Sequence, residues 1–143
     1  MRIDRKAERL KKIKPSEIRK FFAAARLFPD AVNLGIGEPD FTPPKHVIEA
    51  AEKAMREGKT HYAPTTGIPE LLDALAEKTR REYNLSYDPN SEILVTVGAV
   101  EAVFLALMAT VNPGDEVLFP DLGFVCYEPA IRIAGGGSCS NTA

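Results

Sequence analysis

The sequence predicts an α/β fold with an incomplete parallel sheet and flanking helices. Three observations predict it. Ile93-Leu94-Val95-Thr96-Val97 is a short, β-branched run of the kind buried in parallel sheets. Residues 99–111 read as a nearly all-apolar helix, with Glu101 as its one charge. A second apolar run, Glu116–Pro120, follows the turn Asn112-Pro113-Gly114-Asp115. Together these segments are long enough for strand, helix and parallel strand.

The elements before them follow from punctuation and periodicity. A first helix is expected over residues 16–26. Pro15 and Ser16 provide its start, and Ile18, Phe21, Phe22 and Ala25 form its apolar stripe. Two glycines and three prolines between Asn33 and Pro44 exclude a regular helix there. A second helix is expected from Pro44 to Arg56, with Val47, Ile48, Ala51 and Met55 inward and Gly58 as its stop. After the irregular His61-Tyr62-Ala63-Pro64, a third opens at Gly67-Ile68-Pro69-Glu70 and reaches about Tyr83. Leu71, Leu72, Leu75 and Thr79 fill one of its faces. The last helix is expected over residues 124–134, ended by Gly135-Gly136-Gly137.

Composition narrows the function classes. With 143 residues, 45% hydrophobic and 27% charged, the chain suits one soluble domain. A net charge of -2 gives no reason to expect nucleic acid or an anionic membrane as partner. The basic first twenty residues, interrupted by Asp4, Glu8 and Glu17, read as a solvated helix face. No apolar run approaches membrane-spanning length. Cys126 and Cys139 make neither a disulfide framework nor a zinc set, so the expected compartment is the reducing cytoplasm. No cluster of histidines and acids has metal-ligand spacing, and no metal is expected.

Three places could carry chemistry. The junction at Gly98 puts a helix N-terminus after a strand, where unpaired amides and the positive dipole end suit a phosphate. The amides of Ala99 and Val100 would be the donors. A plain buried crossover has the same appearance. Glu101 could cap the backbone there, although an acid beside a phosphate costs energy unless it points away. Phe124 lies past the end of the second apolar run, where ligands of open parallel sheets gather, and could stack on a planar ring. A core phenylalanine fits the spacing as well. Tyr62 offers a hydroxyl in a loop, or is an ordinary half-buried tyrosine.

Taken together, these segments resemble the N-terminal part of class I aminotransferases of the aspartate and aromatic type, enzymes of pyridoxal-phosphate fold type I. The resemblance rests on ordered blocks. They are Asn33-Leu34-Gly35-Ile36-Gly37-Glu38-Pro39-Asp40-Phe41; His61-Tyr62-Ala63-Pro64 with Gly67 and Glu70-Leu71; Thr96-Val97-Gly98-Ala99-Val100-Glu101-Ala102; Asn112-Pro113-Gly114-Asp115-Glu116-Val117; and Pro120, Phe124 and Tyr127.

The resemblance implies amino transfer between an amino acid and a 2-oxo acid, with pyridoxal 5′-phosphate as cofactor. Another reaction of the same fold type, a β-lyase or synthase, and a non-catalytic remnant stay open. Gly98, Ala99 and Val100 would hold the phosphate, Phe124 would stack on the pyridine ring, and Gly37 would lie at the substrate carboxylate. Tyr62 would reach the phosphate of a neighbouring subunit, which implies a homodimer. Val100 departs from the family by lacking a polar side chain, and Leu72 stands where many relatives have arginine. The implied division is an arm and small-domain segment over residues 1–43, part of the cofactor-binding domain over 44–136, and an atypical polar tail over 137–143. None of the lysines sits in a context resembling the family's Schiff-base lysine. The chain is therefore expected to stop before that residue and to be inactive alone.

Overall fold

The computed structural model describes residues 39–141 without interruption, and before them residues 7–11, 13, 21, 24, 25, 27, 28, 30, 32 and 37. The helix expected over 16–26 lies outside the described residues except at Phe21, Ala24 and Ala25, which are helical. The element order is α1 (Glu8–Lys11), α2 (Lys45–Arg56), α3 (Pro69–Tyr83), α4 (Gly98–Thr110), β1 (Glu116–Pro120), α5 (Tyr127–Ala134) and β2 (Gly137–Asn141). The chain divides into two compact units. One is Ile36–Thr96; the other joins Met1–Gly35 to Val97–Ala143.

In the unit Ile36–Thr96, proline and glycine set the helix limits as the sequence predicts. Pro44 is the N-cap of α2, and Gly58 follows it at φ 73°. Pro69 opens α3 and Asn84 closes it in the left-handed conformation. Leu72 is the buried residue of α3, with Leu75 and Thr79 half-buried and Leu71 exposed. The inward face expected for α2 is corrected. Val47, Ile48, Ala51 and Met55 are all exposed, because among the described residues of this unit no element packs closely against that stripe. The opposite face carries the ion pairs Lys45–Glu49 and Lys53–Glu57 at helical i,i+4 spacing.

The strand expected over residues 93–97 is also corrected. The segment is irregular, and the Val95 amide donates to the Thr66 carbonyl at 2.9 Å without starting a ladder. A β-branched run becomes a strand only where a second strand offers its edge, and none of the described residues of this unit does so. Upstream, Asp88 organises the turn that leads into this segment. Its carboxyl is held below the usual carboxylate range, chiefly by the Asn90 N–H at 3.0 Å and then by the Ser91 hydroxyl at 2.7 Å.

The second unit contains the parallel sheet. β1 pairs with β2 in the register Glu116↔Gly137 through Pro120↔Asn141. The crossover between them is α5 and not α4, so the strand–helix–strand unit lies one element later than the sequence predicts. α5 starts at Tyr127, three residues after the expected position, because residues 124–126 form a turn. The tail expected to be atypical supplies β2 from residues 137 to 141.

α4 runs one residue earlier than the predicted 99–111, with Val111 extended at its C-cap, and its expected burial on most sides is not observed. α5 is the element packed against it, and no residue of α4 is buried. The core of this unit is centred on Ala130 and Ile131 of α5, with Ile131 1% exposed. Replacing Ile131 with Ala in the natural protein should destabilise it by about 2–5 kcal/mol, from lost transfer energy and the cavity left behind. Chemical denaturation checks this, with the midpoint expected to fall at an unchanged slope.

Candidate functional site

The chain enters α4 through an unusual backbone. Val97 has φ -75° and ψ 69°, and Gly98 follows at φ 80°. That left-handed conformation strains any residue with a Cβ, so glycine is required by backbone geometry. Crowding is not the reason, because a Cβ at Gly98 would meet nothing within 4 Å.

Past Gly98 the chain is helical. In the first turn of an α-helix the amides have no intrahelical acceptor, which leaves those of Ala99 and Val100 available to an anion. Neither side chain offers a polar group. Glu101 plays the capping part open to it: the Val97 N–H donates to its Oε2. The carboxylate is therefore engaged with the residue before Gly98. Asp88 and Glu92 repeat the device, the Asp88 N–H donating to Glu92 Oε2 at 2.7 Å.

Phe124 lies in the same compact unit, past the C-terminal end of β1. The loop that carries it turns at Asp121, whose Oδ1 accepts the Leu122 N–H at 2.8 Å. Leu122 adopts φ 65° and is fully exposed. Phe124 is 51% exposed, so part of its ring is open to a ligand. The rest meets Tyr127, with ring centroids 5.8 Å apart and planes at 77°.

Tyr62 and Gly37 belong to the other unit. Tyr62 is fully exposed at 107%. Gly37 is also exposed, with open space where a Cβ would stand. Thus Gly98, Ala99, Val100 and Phe124 share the unit that contains the sheet, while Tyr62 and Gly37 share the unit Ile36–Thr96.

A cavity of about 420 Å³ lies in the unit that contains the sheet, lined by Glu8, Arg9, Arg132, Gly135 and Gly136. It sits at the carbonyl end of α5, where a helix dipole disfavours anions, and Arg132 is paired with Glu128 at 2.7 Å. None of Gly37, Tyr62, Gly98, Ala99, Val100 and Phe124 lines it. Among the described residues, no group of three histidine, cysteine or acidic side chains could hold a metal ion. No described helix is long and apolar enough to cross a membrane.

Comparison with known proteins adds the family. Residues 29–142 match the model for aminotransferase class I and II. Aspartate aminotransferase of Pyrococcus abyssi is 48% identical over 130 residues, covering 91% of this chain and 33% of the relative. Aromatic-amino-acid aminotransferase 2 of Thermococcus litoralis is 42% identical, over 91% of this chain and 33% of its own length. Among solved structures, a single mutant of Thermus thermophilus aspartate aminotransferase superposes with TM-score 0.87 at 44% identity, over 96% of this chain and 37% of that one. The chain thus spans about a third of the length of the relatives it matches.

Proposed function

The chain belongs to the class I and II aminotransferase family, and from that premise we propose that the natural protein carrying it transfers an amino group between an amino acid, of aspartate or aromatic type, and a 2-oxo acid. The observation that carries the reading is the start of α4. A left-handed Gly98 leads into the first helical turn, where Ala99 and Val100 carry no charged side chain to oppose an anion at their amides. These residues fit the phosphate of pyridoxal 5′-phosphate, a compact anion that backbone donors and a helix dipole can hold. When bound, that cofactor supplies the electron sink that amino transfer requires.

The rest of the reading concerns this chain's own groups. Gly98 lets the backbone approach the phosphate, and the Ala99 and Val100 amides bind it, Val100 contributing only its amide. Glu101 takes up the Val97 N–H, which keeps its carboxylate occupied while the Ala99 and Val100 amides serve the anion. Phe124 gives a flat apolar surface to the pyridine ring. Gly37 makes room for the substrate carboxylate, and the Tyr62 hydroxyl donates to the phosphate held by a second subunit of a homodimer. The residues over 44–136 form part of a large cofactor-binding domain, and the compartment is the cytoplasm.

Replacing Gly98 with Ala or Val tests the cradle. A Cβ at φ 80° strains the backbone or moves the amides, at about 1–3 kcal/mol, which lowers cofactor affinity roughly 10- to 100-fold. Equilibrium dialysis of the natural protein against pyridoxal 5′-phosphate checks this, and unchanged affinity counts against the assignment. Failure of the natural protein to move an amino group from aspartate or an aromatic amino acid to 2-oxoglutarate would refute the activity.

A further inference from the structure

Phe124 is attached to an exposed loop, and a ring on a loop is a poor stacking surface unless something fixes its plane. We propose that Tyr127 is that fixing group, a positioning residue that sets the orientation of the Phe124 ring; the proposal rests on the reading of Phe124 as the stacking surface.

Four observations support it. The two rings meet edge to face, at 5.8 Å and 77°, the arrangement favoured by the aromatic quadrupole. The turn between them is closed by the Tyr127 N–H, which donates to the Phe124 carbonyl at 3.0 Å. Tyr127 is the first residue of α5, which buries Ala130 and Ile131 one turn later, so its backbone is anchored in the core of the unit. Gly123 shows how closely the loop is laid on the tyrosine. A Cβ there would stand 2.5 Å from the Pro120 carbonyl oxygen and 3.2 Å from Tyr127 Cδ2. Tyr127 is therefore half-buried beneath the loop, with Gly123 against its ring edge, and Phe124 is left half-exposed.

The contact uses the ring of Tyr127 and not its hydroxyl. Phenylalanine should replace it and leucine should not. An edge-to-face pair is worth roughly a 2- to 12-fold change in an equilibrium.

The test uses the natural protein, with variants Tyr127→Phe, Tyr127→Leu, Phe124→Leu and the double Tyr127→Leu/Phe124→Leu. Two quantities are read: the dissociation constant for pyridoxal 5′-phosphate, and the induced circular dichroism per bound cofactor, which responds to ring orientation. Tyr127→Phe should leave both unchanged. Tyr127→Leu should weaken binding roughly 2- to 12-fold and diminish the induced signal. The double variant should be no worse than Phe124→Leu alone, because Tyr127 acts through Phe124. If Phe124→Leu changes binding and signal while Tyr127→Leu changes neither, the positioning role is overturned and the stacking role stands. If Phe124→Leu changes neither, both are overturned. Additive losses in the double variant would also overturn the proposal, since they would show that Tyr127 works independently of Phe124.

Discussion

A polypeptide of these 143 residues, supplied with pyridoxal 5′-phosphate, aspartate and 2-oxoglutarate, is expected to transfer amino groups no faster than the free cofactor. The expectation follows from the lysines among the described residues. Lys11, Lys45, Lys53, Lys59 and Lys78 face Glu8, Glu49, Glu57, Glu57 and Glu82 on solvent-exposed surfaces. An amine that serves as nucleophile and proton carrier needs a desolvated pocket or a cationic neighbour, and these have carboxylates instead. Positioned proton transfer alone is worth about 10²–10⁴-fold in rate. Holding the phosphate and the ring does not replace it. Turnover by this polypeptide above the free-cofactor rate, read with a coupled assay for the 2-oxo acid product, would refute the expectation.

The same polypeptide is expected to associate in solution and to melt without a sharp transition. α4 is apolar nearly all round, yet none of its residues is buried, and Val100, Leu105 and Met108 are exposed. On β1, Leu118 is 74% exposed, and the sheet of the described residues has two strands. Among the described residues the buried apolar set is Leu72, Ala130 and Ile131. So small a core cannot offset the conformational entropy of ordering the chain. The uncovered apolar surface favours self-association, and the uncapped strand edges add to it. Light scattering should report particles larger than a monomer. Calorimetry should show a broad transition, while far-ultraviolet circular dichroism remains helical. A monodisperse monomer with a sharp, reversible, two-state melt would overturn this.

Helices were the legible part of this fold. Pro44, Gly58 and Pro69 act through their own backbone chemistry, so α2 and α3 could be placed without tertiary information. Strands depend on partners. Residues 93–97 have the composition of a strand and no ladder, whereas Gly137–Asn141 has a ladder and none of the composition. The start of α5 was misplaced because the turn at 124–126 depends on a bond from the Tyr127 amide that carries no periodic signal.

Of the candidate site, Gly98 could be singled out from its place between an apolar run and an apolar helix. That its requirement is a left-handed backbone, and not the avoidance of a clash, emerged only from its geometry. The involvement of Glu101 with Val97 was one of two readings in the sequence, and the hydrogen bond decides between them. Tyr127 stood in the sequence only as part of a resembling block; its contact with Phe124, and the part of Gly123 beside it, depend on the fold of one loop over one ring.

The pairing of β2 has a consequence of its own. Its residues are Gly-Ser-Cys-Ser-Asn, with little to tell one alignment against β1 from the next. What indexes the strand lies upstream: the Gly114 N–H donates to the Gly135 carbonyl at 3.2 Å, and the Gly137 N–H to the Asp115 carbonyl at 2.8 Å. These two bonds act as a ratchet pawl at the entry to the sheet, and chain length between them sets the count. Substitutions along β2 that keep the backbone should therefore be tolerated, whereas removing one residue between Ala134 and Gly137 would advance the strand by one tooth and exchange its two faces.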